Sequence, residues 1–497
     1  MYPGLGLSRH LEVRAGVYRD SVSLMQASRR IGAEPGVRSA LVAMATELNL
    51  ELLVGMGFRA PASASANDMV VAVEADGEEQ LAGALATLDE LLAQRRFDGE
   101  GRAFPDPLPR TIRAAAAGAT LALISTPGQY AAADAFEALD AGLDVMLFSD
   151  NVPIGPEIAL KRAAAIRGRL VMGPDCGTAV LGGVGLGFAN VVRPGPIGLV
   201  AASGTGAQQL MCLFDAAGLG ISHCLGVGGR DLSEEVGGRS TLAALDLLAS
   251  DASTERVVVV SKPPAPAVAD AVRARIADLD LPIDLALLGP GRPTLTDVAE
   301  RVVRAAGRRW TAPRQWPARS IRQRRPGALR GLFSGGTLCA EAGFVVSERL
   351  GAVRSNVASD AASALPDDLR SDGHLVIDFG DDVLTRGRPH PMIDNTLRVD
   401  RILDEGSDPA CAVLLVDVVL GHGAHPNPAA ELAPALATAR ENAARSGRDL
   451  AVVVSLTGTA ADPQGLDRQV AALQAAGASI HLSNADAART AADLIAG

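Results

Sequence analysis

From residue 121 onward, short apolar runs alternate with segments whose apolar residues recur every three or four positions. Runs such as 121–125, 144–149 and 257–261 predict buried parallel strands, and the segments between them predict amphipathic helices. A parallel sheet covered by helices on both faces accounts for this alternation. The pattern therefore predicts an α/β fold for most of the chain.

The first 110 residues show shorter elements. Alternating apolar and polar positions predict three strands, and helical spacing predicts two helices. The predicted strands cover 11–18, 40–44 and 69–74, and the predicted helices cover 22–31 and 78–95. Residues 96–110 are rich in proline, glycine and polar side chains, which predicts a loop or linker.

Two proline-containing stretches divide the chain. Pro194-Gly195-Pro196 precedes a new strand, and the basic stretch 309–328 carries both tryptophans. A basic stretch with tryptophans could bind RNA, but in an acidic protein we favour a linker that lies across the acidic surface of its own domains. We predict a Rossmann-like N-terminal region over 1–192, a flavodoxin-like domain over 193–308, the linker over 309–328 and a second flavodoxin-like domain over 329–497.

Length and composition agree with several aliphatic α/β domains. The 497 residues exceed what one core usually holds, and 48% are hydrophobic whereas 3% are aromatic. The net charge of −11 argues against a general binder of nucleic acids or membrane surfaces. The five cysteines are scattered, and no apolar run has the length of a membrane span, so we expect reduced thiols and a cytoplasmic location.

Two glycine-containing turns repeat one motif. Ser203-Gly204-Thr205-Gly206 and Gly335-Gly336-Thr337 each follow an apolar strand and precede an amphipathic helix. The first N–H groups of such a helix lack an intrahelical acceptor, and the helix dipole adds about half a positive charge, so each turn could bind phosphate. One turn alone favours an ordinary N-capped helix, whereas a facing pair would hold a doubly charged anion from both sides.

A series of sequence blocks resembles the FdrA family, a branch of the succinyl-CoA synthetase superfamily. Such proteins resemble a synthetase α subunit fused to the C-terminal ligase domain of a β subunit. The resemblance implies a CoA-binding-domain-like N-terminal region and two ligase domains, with the two glycine turns as the paired helix starts that face phosphate. The blocks are 20–25, 146–151, 172–178, 202–206, 228–232 with 235–238, 261–264, 335–338, 387–394 and 417–423.

The chain departs from the synthetase pattern at several places. Residues 287–293 (LLGPGRP) contain no histidine where the synthetase carries its phosphohistidine, and Lys262 lies in the segment of the glutamate that orients it. Residues 18–21 (YRDS) stand where the glycine-rich CoA loop is expected, and an ATP-grasp domain is absent. The resemblance therefore implies a retained phosphate clamp, with CoA binding doubtful.

FdrA-like proteins occur as one component of a multi-subunit carbamoyltransferase of allantoin catabolism. The resemblance implies that oxalurate and phosphate give oxamate and carbamoyl phosphate, with other carbamoyltransferase subunits as partners and no certain cofactor. Helix N-termini could hold the phosphate without a covalent enzyme intermediate. An NDP-forming acyl-CoA synthetase and a non-catalytic scaffold are the alternatives, and we expect neither nucleic acid nor membrane as a partner.

Three candidate site residues follow strand ends, the edge at which α/β sheets bind ligands. Arg230 could bind a substrate carboxylate through two hydrogen bonds, or it could pair with Glu234 or Glu235. We expect Asp231 to contact the substrate. We expect Lys262 to contact phosphate or the reacting carbonyl group.

A dense polar group follows in the last domain. Arg388, Asp394 and Arg398 are predicted to bind substrate. His390 lies between prolines and is the best candidate for a general acid or base, although a turn-stabilising role fits equally well.

The remaining reactive residue types favour structural roles. Cys176 has no histidine nearby in sequence that could act as its base, so we predict that it packs in the core. His422 and His425 lack a third ligand nearby, so we predict no metal site.

Overall fold

The computed structural model describes residues 7–17, 19, 21–61, 64–94, 109, 111–318, 326–358, 361–385 and 388–496. Contacts divide the chain into two units. The first comprises residues 1–115 with 386–389, and the second comprises residues 116–385 with 390–497. Among the described residues, none of the helices has both the length and the apolar character needed to cross a lipid bilayer.

The first unit is built on a three-stranded antiparallel sheet. Its elements are β1 (Ser8–Arg14), α1 (Ser21–Gly32), β2 (Val37–Met44), α2 (Glu47–Gly55), β3 (Met69–Ala75), α3 (Glu78–Gln94) and α4 (Ile112–Ala115). The strand order is β1-β3-β2, so β3 pairs with both neighbours. Leu24 and Ile31 of α1, Val71 of β3 and Leu88 of α3 share one core, because both helices turn an apolar face toward the sheet.

The region that we predicted as one Rossmann-like domain over 1–192 contains two complete sheets and, at its end, two strands of a third sheet. The first is the antiparallel sheet above. The second is parallel, in the order β4-β5-β6, and belongs to the second unit. Its elements are β4 (Leu121–Ile124), α5 (Gly128–Asp140), β5 (Asp144–Leu147), α6 (Ile154–Arg167) and β6 (Val171–Met172). The Rossmann-like part therefore begins after residue 115, because an apolar pattern indicates a strand but not its neighbour or direction.

A six-stranded sheet follows in the second unit. Its elements are β7 (Thr178–Leu181), β8 (Val184–Gly187), β9 (Pro194–Ala201), α7 (Gly204–Ala216), β10 (Ile221–Gly226), α8 (Arg239–Ser250), β11 (Arg256–Ser261), α9 (Pro266–Ala277), β12 (Ile283–Leu287) and α10 (Leu295–Ala305). The order is β12-β11-β9-β10-β7-β8. The strands β9 to β12 are parallel in a flavodoxin-like order, and the hairpin β7–β8 pairs antiparallel with β10.

A seven-stranded sheet completes the second unit. Its elements are β13 (Gln315–Trp316), β14 (Ala328–Phe333), α11 (Gly336–Leu350), β15 (Val353–Ser355), β16 (His374–Asp378), α12 (Asp382–Thr385), α13 (Thr396–Ser407), β17 (Cys411–Val419), α14 (Ala429–Arg445), β18 (Ala451–Thr457), α15 (Leu466–Ala475), β19 (Ser479–His481) and α16 (Asn484–Ala496). The order is β13-β19-β18-β17-β14-β16-β15. Five of these strands have the predicted flavodoxin-like order, and β15 and β13 extend the two edges.

The basic stretch 309–328 contributes to this last sheet. Gln315–Trp316 forms β13, which pairs antiparallel with β19. Arg314 pairs with Asp467 at 3.3 Å, and its guanidinium lies 4.5 Å from the ring centre of Trp316. The described part of the stretch therefore contacts its own domain, while residues 319–325 lie outside the described residues, as do nearly all of those in the predicted loop 96–110.

The two flavodoxin-like sheets place the glycine turns at equivalent positions. In the first of these sheets β9 lies between β10 and β11, and in the second β14 lies between β16 and β17, so the strand order reverses at β9 and at β14. Ligands bind α/β sheets at the carboxyl ends of the strands flanking such a reversal of strand order. One glycine turn directly follows β9 and the other directly follows β14, so the topology makes both turns candidate ligand-binding sites.

Candidate functional site

The first glycine turn starts α7. Ser203 is its N-cap, and the Ser203 Oγ accepts a hydrogen bond from the N–H of Gly206 at 3.0 Å. Ser203 and Thr205 are buried, whereas Gly204 is exposed. The N–H groups of Gly204 and Thr205 have no intrahelical acceptor. The start of α7 therefore retains two backbone donors that its own turn does not use.

The second glycine turn starts α11 and is held by Asp417 of β17. The carboxylate of Asp417 accepts the N–H of Ser334 at 2.7 Å and that of Gly335 at 2.9 Å, and it pairs with Arg398 at 3.0 Å. Burial raises the pKa of Asp417, and Arg398 and the two N–H donors oppose that rise. Asp417 therefore occupies the first donors of this turn, and those of Gly336 and Thr337 remain.

The two helix starts touch each other. The Ser203 hydroxyl donates a hydrogen bond to the Thr337 Oγ1 at 2.5 Å. A Cβ atom at Gly335 would lie 2.8 Å from the Cγ2 of Thr205, closer than packed atoms approach. Because both helices point their N-terminal ends at this contact, two positive dipole ends meet at one place. The arrangement favours an anion.

Lys262 supplies a full positive charge beside this contact. It follows β11, is exposed, and is one of two lysines in the chain. Its Nζ lies 3.1 Å from the position that a Cβ of Gly336 would take. Among the described residues, no carboxylate oxygen lies within 4.0 Å of this Nζ. Lys262 is therefore directed at the start of α11 without forming an ion pair there.

Asp378, at the end of β16, was not among the predicted site residues. It is buried, its Oδ1 accepts the N–H of Gly380 at 2.8 Å, and its Oδ2 faces Gly336. Burial raises the pKa of Asp378 to about 6, although Lys262 opposes the shift. An acidic residue that ends an otherwise apolar strand is the sequence signal that could have identified this position, but it was not recognised as such.

His390 lies next to Asp378. Its Nδ1 accepts the N–H of Met392 at 3.2 Å, so the proton of the neutral ring is assigned to Nε2. Burial, with a contribution from Arg398, lowers the pKa of His390 to about 4. The ring is therefore neutral at pH 7 and presents an N–H donor from Nε2, which suits hydrogen bonding better than proton abstraction.

Asp231 has a structural role, which corrects its prediction as a substrate contact. It is fully buried, and its carboxylate pairs with the buried Lys161 at 2.7 Å. It also accepts the N–H of Ser240 at 3.1 Å and the hydroxyl of Thr241 at 2.7 Å, at the start of α8. No face of this carboxylate is left for a substrate.

Arg230 pairs across the fold. Its guanidinium lies 2.9 Å from Glu157 of α6 and donates to the carbonyl oxygen of Val152 at 2.7 Å, so its partner is neither Glu234 nor Glu235. Glu157 in turn pairs with Lys161 at 2.9 Å. Arg230 remains about half exposed, with 46% of its side chain accessible, so part of its guanidinium faces solvent.

The turn after β6 brings a second acidic group to the same edge. Asp175 has a φ of 57° and is exposed. Desolvation by the surrounding protein, together with the charges of Asp382 and Asp150, raises the pKa of Asp175, while Lys262 and Arg230 oppose the rise. The neighbouring Cys176 is buried, and burial raises its thiol pKa, so it packs as predicted and does not serve as a nucleophile.

The predicted polar group around His390 is only partly assembled. Arg398 is buried and binds Asp417, so it cannot reach a substrate, contrary to its prediction as a substrate contact. Asp394 accepts the N–H of Thr396 at 2.7 Å at the start of α13. Arg388 is exposed and belongs to the segment 386–389 that groups with the first unit.

His422 and His425 form no metal centre with their described surroundings. His425 pairs with Glu431 at 3.3 Å, and the N–H of His422 donates to the carbonyl oxygen of Ala189. Within the described residues, no group of three potential ligands could hold a metal ion.

The loop without a histidine lies beside Lys262. The N–H of Leu288 donates to the carbonyl oxygen of Ser261 at 3.0 Å, which places the start of loop 288–293 next to the residue preceding Lys262. The expected CoA loop at 18–21 does not lie in the Rossmann-like part of the fold. Residues 18 and 20 lie outside the described residues, and Arg19 and Ser21 belong to the unit with the antiparallel sheet, so the composition of this segment does not bear on the Rossmann-like part.

Comparison with known families matches two parts of the chain. Residues 7–105 match a family described as AllF, heavy metal-associated domain, and residues 332–494 match the CoA-ligase family. Over 98% of its length, the chain is 37% identical to YahF of Escherichia coli K12, an uncharacterized protein of which the alignment covers 99%.

Synthetase subunits are similar over shorter segments. The chain is 29% identical over 161 residues to subunit alpha 2 of the ADP-forming succinate–CoA ligase of Archaeoglobus fulgidus, which covers 32% of this chain and 54% of that subunit. Among solved structures, dinucleotide-forming acetyl-coenzyme A synthetase 1 of Ca. Korarchaeum cryptofilum aligns with a TM-score of 0.29 and 15% identity, covering 76% of this chain and 82% of that one.

The N-terminal match carries a name that implies heavy metals. Soft metal ions of this class bind best to cysteine thiolates and histidine nitrogens. Residues 7–105 contain no cysteine and a single histidine, His10. The residues of the first unit therefore do not fit such an ion.

Proposed function

Because this chain belongs to the FdrA family of the succinyl-CoA synthetase superfamily, we propose that it is the phosphate-binding subunit of a carbamoyltransferase. Its relation to CoA ligases follows from the match over residues 332–494. In the proposed reaction, inorganic phosphate attacks the ureido carbonyl carbon of an oxalurate-like acid. The products are carbamoyl phosphate and an oxamate-like amide acid.

The contact between the starts of α7 and α11 is the observation that carries this proposal. Ser203 and Thr337 join the two helix ends by a 2.5 Å hydrogen bond, and Gly335 permits the close approach of Thr205. Unpaired N–H groups from both helices would bind the phosphate oxygens. Such preorganised donors stabilise the negative charge that develops as phosphate adds to the carbonyl group.

Lys262 would complete the phosphate site. Its ammonium group lies beside Gly336, and it forms no ion pair with the described carboxylates. A cation in this position attracts the dianion and offsets the repulsion from Asp378 and Asp175. A second cation, Arg230, has part of its guanidinium exposed and would bind the carboxylate of the ureido acid.

The loop beside Lys262 supports direct attack by phosphate over a phosphoenzyme route. Residues 288–293 contain no histidine, so the nucleophile that synthetases phosphorylate is absent from this loop. The succinate–CoA ligase subunit that is 29% identical over 161 residues makes nucleotide-dependent CoA ligation the second candidate. Other catalytic groups would come from partner subunits of a hetero-oligomer.

The test is to purify the chain together with the subunits that accompany it from its native host. Carbamoyl phosphate formation from oxalurate and phosphate is measured by ³¹P NMR, and ADP formation with CoA is measured in parallel. Thr205→Ala and Thr337→Ala should lose carbamoyl phosphate formation. The matched control is Thr311→Ala, at an exposed position outside the helix starts.

The outcomes separate the candidates. Carbamoyl phosphate that requires Thr205 and Thr337 but not Thr311 supports the transferase. If the complex instead forms ADP in a CoA-dependent reaction, the protein is a ligase subunit and the transferase proposal is wrong. If neither activity is detected with the partner subunits present, the proposal is contradicted and the scaffold alternative remains.

A further inference from the structure

Among the described residues, Asp378 is a buried carboxylate that lies near both Lys262 and the neutral ring of His390. Its Oδ2 and the Lys262 Nζ both approach Gly336 closely, at 2.4 Å and 3.1 Å from the position that a Cβ of this glycine would take. Its Oδ1 lies 3.1 Å from the position that a Cβ of Gly380 would take, and the Nε2 of His390 lies 2.8 Å from the same point. Because the two glycines lack side chains, Lys262, Asp378 and His390 can approach the same stretch of backbone.

We propose that Asp378 is the catalytic residue that carries the proton in this site. The inference rests on the proposed function. When an oxygen of HPO₄²⁻ forms its bond to the ureido carbon, the phosphate proton passes to the Asp378 carboxylate. When the carbon–nitrogen bond of the ureido group breaks, Asp378 returns that proton to the leaving amide nitrogen. One proton enters and one leaves, so no other reactant is needed.

The environment of Asp378 suits this exchange. Burial raises its pKa, and the charges of Asp381 and Asp417 act in the same direction, whereas Lys262 and the Gly380 N–H lower it, which leaves a value of about 6. Of the other groups nearby, His390 is neutral and Cys339 is a buried thiol of raised pKa. A proton carrier works best when its pKa lies near the working pH.

Neighbouring groups are less suited to the role. Asp417 accepts two backbone N–H groups and binds Arg398, so its lone pairs are already used. His390 uses its Nδ1 lone pair to accept the N–H of Met392, and the proton on Nε2 leaves no basic nitrogen facing Gly380. Lys262 is a cation directed at the phosphate position.

The experiment replaces Asp378 by asparagine in the complex purified with its native partners. D378N keeps the side-chain shape and an oxygen for the Gly380 N–H. We expect turnover to fall by roughly 10²- to 10⁴-fold, the range for loss of a general acid or base, with little change in KM for phosphate. The control is D372N, at an exposed position just before the same strand.

A pH profile separates a catalytic role from a structural one. The ratio of wild-type to D378N rates should rise with pH and level off above about 6, because the titration of phosphate itself is common to both proteins and cancels. Formate should restore turnover in D378A, whereas chloride at equal ionic strength should not. A restored rate shows that the loss is not a failure to fold.

The outcomes distinguish the two proposals. If the wild-type complex makes no carbamoyl phosphate, the proposed function fails. If the wild type is active and D378N retains its rate, or the rate ratio does not change with pH, Asp378 is not the proton carrier.

Discussion

Ser203 and Thr337 are separated by 134 positions in the chain, yet their hydroxyl groups share a 2.5 Å hydrogen bond that joins the first turns of α7 and α11. The contact lies between the two flavodoxin-like sheets of the second unit. Because each helix presents its positive end, the contact needs small residues and a nearby negative charge to be favourable. Asp378 is one such charge, and a bound phosphate would be another.

Gly335 makes this close approach possible. Its φ is −109°, so alanine fits the backbone, but a Cβ there would lie 2.8 to 2.9 Å from three side-chain atoms of Thr205. We expect Gly335→Ala to reduce carbamoyl phosphate formation and to destabilise the second unit by about 1–3 kcal/mol, as overpacking does. Gly155→Ala, whose Cβ would meet no atom within 4 Å, is the control. Unchanged activity in Gly335→Ala would show that the helix starts need not touch.

Lys262 can be followed by selective labelling, because the chain has two lysines and Lys161 is fully buried. An amine-specific reagent should modify Lys262 in the folded protein and reach Lys161 only after unfolding. At phosphate concentrations of about ten times Kd, modification of Lys262 should slow roughly tenfold, as measured by peptide mass spectrometry. Chloride at equal ionic strength is the control. Equal rates with and without phosphate would place the anion elsewhere.

Lys161 should be essential for stability. Its ammonium group is buried between Glu157 and Asp231, and its removal leaves the buried carboxylate of Asp231 without a cation and that of Glu157 with Arg230 alone. We expect Lys161→Met to lower the free energy of unfolding by about 3–5 kcal/mol, measured by urea denaturation. The exposed neighbour Arg162→Met should change it by less than about 0.5 kcal/mol. If Lys161→Met lowers the free energy of unfolding no more than Arg162→Met does, the prediction is wrong, and the buried carboxylates are stable in their protonated form.

Glu341 should make stability depend on pH. It is buried, and its carboxylate accepts the Leu295 N–H at 2.6 Å and the Asn484 amide at 2.8 Å. Burial raises its pKa from 4.5 to about 7, so the folded state holds the proton more tightly than the unfolded chain. The resulting stability is complete below pH 4.5 and is lost as pH rises through about 7, amounting to at most about 3 kcal/mol.

Glu341→Gln should remove this pH dependence. Its unfolding midpoint relative to wild type, measured by urea denaturation, should therefore increase between pH 5 and pH 8. The control is Glu348→Gln, an exposed position on the same helix. A difference from wild type that stays constant across this range would exclude Glu341 as the titrating group.

Much of the second unit was predictable because its signals are local. Buried strands such as β17 and β18 are continuous apolar runs, and the helices between strands repeat apolar residues at helical spacing. The glycine turns were recognisable for the same reason, since a strand, a small-residue turn and a helix start are contiguous in sequence. Strand pairing in the first unit could not be predicted from the sequence, because the pattern of β1 fits either an antiparallel or a parallel neighbour.

The sequence by itself determined the α/β class, the two helix starts with their unpaired N–H groups, and the histidine-free loop at 288–293. Tertiary structure alone decided that the two starts meet, that Arg230 pairs with Glu157, and that Asp378 lies beside Lys262. These relationships join residues from different strands and helices that are distant in sequence. Hydrophobic burial positions those elements, and the ion pairs and hydrogen bonds then form between whichever side chains the packing brings together.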